Sequence, residues 1–247
     1  MQAVWGVKTY KNAVLITIDC LRSDFFARRY MPKTLRMLRD GLLARMAFSH
    51  GPSTSPAFMA LLTSTYPLMY GGYPKLSRYR KSLAEALREQ GFVTMAVNHN
   101  PFISRHYGFH RGFIYFEDFT WLNNDYKIAR FILHNHEIAL RCALGKLFFK
   151  MALPYVPANI IVKYAIRYLS FLGKGILKRR GFFLWLHLMD IHHPFTIWPS
   201  RGTTLSRARY IKEHGYGKLP QSYARDIRAL YVCLLYTSDA ADDGESV

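Results

Sequence analysis

Eight residues near the start of the chain, NAVLITID from Asn12 to Asp19, constrain its fold more than any other stretch. Val14 to Ile18 is β-branched or aliphatic throughout, with no polar alternation. Such a run reads as a parallel strand covered on both faces, so an α/β architecture is expected. In sheets of that kind ligands gather beyond the carboxyl ends of the strands, which is where Asp19 falls. Two roles fit an acid at that point, a helix N-cap and a metal ligand.

The theme returns at Phe182 to Leu188, FFLWLHL, which runs straight into Met189-Asp190-Ile191-His192-His193-Pro194. His187, Asp190, His192 and His193 are therefore candidates for metal binding or proton transfer. Between the two runs lies SHGPSTSPAFMALLTSTYP, Ser49 to Pro67. Pro56 suits the first turn of a helix and a Ser or Thr before it suits the cap. The hydroxyls of Thr54 and Ser55 would then stand at a positive helix end that favours an anion.

Other signals are local. Ser82 to Glu85 is a capping box, Gly91 a natural stop, and Phe92 to Val97 the next strand. Asn98-His99-Asn100-Pro101 then falls on the Asp19 edge of the sheet, with His99 expected to be solvated. Leu35, Leu38 and Leu42 after Pro32 predict a short surface helix packed by its leucines. Tyr107 to Phe119 reads as a packed aromatic loop. Ser222 to Val232 predicts a helix with Ile227, Leu230 and Tyr231 on its apolar side.

Half of the 247 residues are apolar, enough for a sizeable core, which excludes a disordered chain. The cysteines at 20, 142 and 233 have neither paired nor zinc-finger spacing, which fits a reducing compartment. Lys and Arg outnumber Asp and Glu by 34 to 16, so anionic partners are expected: phosphate or sulfate esters, an anionic membrane face, or nucleic acid. Residues 121–180 combine helical periodicity with many bases. Ile160, Ile161, Tyr164, Ile166, Tyr168 and Leu169 could form one face, beside Lys163 and Arg167. Core packing and membrane-surface contact both fit that pattern. With neither a signal-peptide pattern nor an apolar run of about 20 residues, a cytoplasmic location is expected, with peripheral membrane contact as an option.

Four motifs in order, TIDCLRSD, SPAFMALLTSTYP, SLAEALREQGFVTMAVNHNPF followed by GFHRGF, and FFLWLHLMDIHHPF, resemble the N-terminal domain of the sulfatase family, in the alkaline phosphatase superfamily. The resemblance implies an α/β/α sandwich with a large, mostly parallel mixed sheet, spanning residues 1–232 with 121–180 as a basic helical insertion. It implies a divalent cation (Ca, Mg, Mn or Zn) held by Asp19 and Thr54, with Thr54 as nucleophile and Ser55 as the next candidate. It also places His192 at the ester or its leaving group, and Asn100, His187 and His193 at the substrate. The implied activity is hydrolysis of sulfuric or phosphoric esters of a small molecule, glycan or lipid. Two alternatives are a phosphoglycerol- or phosphoethanolamine-type transferase and a non-catalytic protein that binds anions or membrane surfaces; no specific nucleic-acid partner is expected.

The chain departs from the family pattern in three places. Thr54-Ser55-Pro56-Ala57-Phe58 replaces the C/S-x-P-x-R pattern whose first residue becomes formylglycine. Threonine is not converted that way, and related phosphotransferases and phosphodiesterases use it unmodified, which tilts the chemistry toward phosphoryl transfer. Cys20 stands where many sulfatases carry a second acid. Finally, Cys233 to Asp242 reads as the translation of a transposase sequencing adapter, so residues 233–247 are expected to be an artefactual tail and Asp239 no ligand. The late Asp-His or Asp-Asn ligand pair is then expected beyond Val232, and the chain alone is expected to be inactive.

Overall fold

A computed structural model describes residues 12–73, 75–119, 156–172, 180–192 and 221–241. Four strands, β1 (Asn12–Ile18), β2 (Val93–Val97), β3 (Tyr115–Glu117) and β4 (Phe182–Leu188), form one sheet in the order β1-β4-β2-β3. All three pairings are parallel. The carboxyl ends of β1, β2 and β4 therefore share one edge. Ile18 is in register with Leu188, and the Asp19 amide continues the ladder by donating to the Leu188 carbonyl at 2.9 Å.

Helices cover both faces, as an α/β/α sandwich requires. On one face Val93, Met95, Val97, Leu184, Leu186 and Leu188 pack against Ile161, Val162 and Ala165 of α4 (Ala158–Phe171). On the other, Ala96, Phe183 and Trp185 meet Phe58, Met59 and Leu62 of α2 (Thr54–Thr63) and Ala84 of α3 (Leu83–Glu89). The period-2 alternation of a strand sorts the apolar run of β4 between the two layers. Each large side chain so buried contributes roughly 1.5–3 kcal/mol.

The first strand differs from expectation. Among the described strands β1 lies at the edge, with Val14 54% and Ile16 37% exposed. Leu15 joins the α2–α3 layer, while on the other face Ile18 packs against the α4 layer and Val14 and Ile16 stay exposed. β3 went unpredicted, being three residues inside the aromatic loop, whose Phe109, Phe113 and Phe116 are buried as expected.

The capping box forms in full: the Ser82 hydroxyl accepts from the Glu85 amide at 3.1 Å, and the Glu85 carboxylate accepts from the Ser82 amide at 2.8 Å. Gly112 packs on this helix start at φ +81°, where an added Cβ would lie 2.2 Å from the Glu85 nitrogen, so only glycine fits. Of the leucine helix, only Pro32–Met37 (α1) is α-helical; Leu42 is 92% exposed and packs nothing. Helix α5 (Gln221–Ala241) runs past Val232 without a break. Tyr231, Leu234 and Leu235 are buried with Phe25, Met31 and Ile191, and Asp239 accepts from the Lys33 and Thr34 amides at the start of α1. Apolar residues three and four apart pack in this way whatever their origin. Of the basic stretch, α4 lies among the described residues: Ile161 is buried, while Ile166 is 42% exposed and faces solvent. Among the described residues no helix is long and apolar enough to cross a membrane.

Candidate functional site

Asp19 ends β1 with its side chain 12% exposed, and three elements converge on it. Helix α2 starts from Ser53, an extended N-cap whose side chain makes no capping bond, so Thr54 and Ser55 are first-turn residues and not caps. The two hydroxyls then diverge. Thr54 Oγ1 donates to Asp19 Oδ2 at 3.2 Å, whereas Ser55 Oγ donates to the Tyr73 carbonyl at 3.0 Å. Buried Arg80 organises the loop that bears Tyr73 by donating to the carbonyls of Tyr66, Pro67, Met69 and Gly72.

From β2 comes Asn100, 2% exposed, whose Nδ2 donates to the same Asp19 Oδ2 at 3.0 Å. Its Oδ1 accepts from the Phe102 amide, which fixes the side chain. From β4 comes His187, fully buried, with Nε2 3.4 Å from Asp19 Oδ2 and Nδ1 2.9 Å from Thr17 Oγ1. Thr17 also accepts from the Trp185 indole at 3.0 Å, and Phe58 lies edge-on to the imidazole at 4.8 Å. Phe58, where the family pattern has arginine, thus seals His187 from solvent. His187 Nε2 has no hydrogen-bond partner, since its approach to Asp19 is within ion-pair distance but poorly aligned. In either tautomer it is unsatisfied, as a misaligned N–H or as a lone pair facing a carboxylate.

The solvent side of Asp19 has a different character. Asp19, Cys20 and His192 each offer a ligand atom, and all three lie within 4.8 Å of one another. Cys20 is exposed and its Sγ lies 3.7 Å from Asp19 Oδ1. Burial pushes the Asp19 pKa up, but His187, then His192 and Thr54 outweigh it and hold the carboxyl below its ordinary value. Burial also lowers the pKa of His187, against the pull of Asp19, so the ring is neutral at pH 7. Burial and the Asp19 carboxylate push the Cys20 thiol up to about 12. The carboxylate, thiol and imidazole donors suit a divalent metal, and Thr54 Oγ1 adjoins them.

The structure therefore gathers Asp19, Thr54, Asn100, His187 and His192, while Ser55 faces Tyr73 and His193 lies outside the described residues. Asp190 instead accepts from the Ala158 amide with both oxygens at 3.1 Å, compensating the start of α4. His99 is not solvated: its Nδ1 accepts from the Val156 amide at 2.9 Å and its ring stands edge-on to Phe119. Thr17 was not foreseen, and Tyr231 was expected only on the apolar side of its helix, where it is indeed buried. The Tyr231 hydroxyl donates to the Cys20 carbonyl at 2.9 Å and accepts from the Arg22 amide at 3.0 Å, which holds the turn after Asp19. A separate cavity of about 610 Å³ along α2, lined by Phe48, Ala57, Leu61 and Tyr66 among others, includes none of the Asp19 cluster.

A parallel sheet between helices, with an acid and a hydroxyl brought together at its carboxyl edge, is an arrangement whose fold recurs in solved structures. Similar folds occur in the lipoteichoic acid synthase LtaP from Listeria monocytogenes (TM-score 0.61, 15% identity, 95% of this chain and 50% of that one). They occur too in the phosphonate monoester hydrolase of Agrobacterium radiobacter (0.61, 16%, 94% and 57%) and in an alkaline phosphatase superfamily protein from Vibrio parahaemolyticus (0.54, 16%, 94% and 50%). The sulfatase family profile matches residues 11–241, so the chain belongs to the sulfatase family. No curated protein matches it. The chain spans about half the length of the solved structures it matches, and at these identities the likeness is one of fold.

Proposed function

We propose that the chain is a metal-dependent hydrolase of phosphoric or sulfuric esters with Thr54 as its nucleophile. The observation that carries this reading is the contact between Thr54 Oγ1, in the first turn of α2, and Asp19 Oδ2 at the end of β1. Thr54 attacks the phosphorus or sulfur, the Oγ1 bond forms as the ester bond breaks, and the alcohol leaves with a proton. Water then releases the acid from Thr54. The amides of the first α2 turn favour the negative charge of the ester. Asp19 would hold the cation, and Asn100 orients its carboxylate, with the buried His187 ring behind it. A bound divalent metal would lower the pKa of the Thr54 hydroxyl and neutralise the ester. His192, beside Asp19 and Cys20, is suited either to protonating the leaving group or to holding the metal.

A second reading is transfer of the group to a glycan or lipid hydroxyl instead of water. An unmodified threonine at the helix start supports it, as does the fold shared with a lipoteichoic acid synthase. The exposed thiol of Cys20 supports a reducing, cytoplasmic setting. The deciding experiment is a panel of phosphate and sulfate esters, with and without chelator, on the 247-residue chain and on the gene extended past the Val232 codon. Metal-dependent turnover is expected to fall by roughly 10³-fold or more in Thr54→Ala. Full activity in that variant removes Thr54 from the mechanism. Product analysis with a lipid or glycan acceptor separates transfer from hydrolysis.

A further inference from the structure

Resting on the metal-dependent reading above, we infer that the cation is a thiophilic transition metal of the zinc type, held by the Asp19 carboxylate, the Cys20 sulfur and the His192 ring. Calcium and magnesium take oxygen ligands almost exclusively, whereas sulfur and imidazole donors select zinc-type ions. The three donor atoms lie within 4.8 Å of one another. The edges of a tetrahedral zinc site measure about 3.3–3.8 Å, so modest side-chain adjustment closes the set. These three donors fill three positions of a tetrahedral site, and the fourth would take a further ligand or the ester. Thr54 Oγ1 is hydrogen-bonded to the same Asp19 carboxylate.

An independent observation lies behind the carboxylate. Asp19 Oδ2 accepts from Thr54 and Asn100, which orients the group as second-layer hydrogen bonds orient a metal ligand. The fully buried His187 nitrogen is aimed at the same carboxylate from 3.4 Å and has no hydrogen-bond partner. In the tautomer with its proton on Nδ1, a cation bound to Asp19 offsets the charge that the Nε2 lone pair faces. Binding forms the sulfur–metal bond as the Cys20 thiol gives its proton to water, with no change of oxidation state.

The test is titration of the reduced, metal-stripped 247-residue chain with Co²⁺, a spectroscopic substitute for zinc. The expected result is a near-ultraviolet thiolate-to-cobalt charge-transfer band that Zn²⁺ abolishes by displacement. Cys20→Ser should lose the band and bind Zn²⁺ roughly 10–100-fold more weakly, while Cys142→Ser and Cys233→Ser keep both. His192→Ala should weaken Zn²⁺ to a similar extent yet keep the band. A band that survives Cys20→Ser, or cobalt bound without any band, overturns the assignment. The ester reading fails separately: a band that depends on Cys20 in a protein that turns over no ester upholds the metal and removes the reaction. Turnover supported by Mg²⁺ or Ca²⁺, with no cobalt band, does the reverse.

Discussion

His187 and His99 are two largely enclosed imidazoles at the same sheet edge, one at the end of β4 and the other just after β2, and burial lowers the pKa of both. Their partners differ. His99 accepts a backbone amide from Val156 and packs on Phe119, so it joins two segments of chain. His187 stands between the Thr17 hydroxyl and the Asp19 carboxylate, and Asp19 in turn bears Thr54 and Asn100. Burial and position alone do not mark a functional histidine. The proposed role of His187 rests on the chemistry of the groups it touches.

The largest effect should come from breaking that contrast directly. His187→Ala strips Asp19 and Thr17 of a buried partner, and we expect a stability loss of roughly 2–4 kcal/mol together with Zn²⁺ affinity lower by roughly 10–100-fold. His99→Ala should cost roughly 1–3 kcal/mol by removing the acceptor of the Val156 amide, with metal affinity unchanged. Denaturant unfolding and metal titration read the two effects separately. Equal losses of metal affinity in both variants would dissolve the distinction.

Much of the scaffold was legible because its signals are local. The uninterrupted apolar run predicted β4 from Phe182 to Leu188, and the Ser82–Glu85 box predicted the start of α3. Asp19 was legible as the terminus of an apolar strand. The rest depends on what lies across space. The apolar residues of β1 do not reveal whether a neighbour covers them, and Val14 and Ile16 stay exposed. Thr54 and Ser55 are adjacent, but successive residues on a helix point about 100° apart, so one reaches Asp19 and the other Tyr73. Asp190 sits among histidines in the sequence, yet it serves a helix that begins at Ala158. His99 read as solvated because the partner that encloses it, Val156, lies 57 positions away.

The pH dependence sharpens the contrast further. The His99 pKa falls from its ordinary 6.5 to about 4, because burial outweighs the attraction of Asp118. His187 shifts in the same direction. For a histidine depressed on folding, the unfolded chain binds more protons, so stability is full above pH 6.5 and is lost as pH falls toward 4. Asp19, also depressed, adds stability above its ordinary 3.8 and loses it only at lower pH. Between pH 7 and 5 the histidines should therefore dominate, each contributing a slope of at most about 1.4 kcal/mol per pH unit. His99→Gln should remove its share of that slope, as measured by denaturant unfolding across this range. An unchanged slope would mean that His99 is protonated in the folded protein.

The smallest effect concerns how the Asp19 turn is held. Cys20 has φ +61°, a left-handed conformation that side chains other than glycine adopt at a cost of about 1–2 kcal/mol. The Tyr231 hydroxyl compensates by bridging the Cys20 carbonyl and the Arg22 amide from α5, while the Tyr231 ring packs on Phe25 at 4.9 Å. Tyr231→Phe keeps the ring and removes both hydrogen bonds, so we expect a loss of about 1–2 kcal/mol in stability. Because Cys20 and Asp19 are neighbours in that turn, Zn²⁺ affinity should fall only a few-fold, less than in His187→Ala. A drop as large as that of His187→Ala would make the turn, and not the groups behind the carboxylate, the main determinant of the site's geometry.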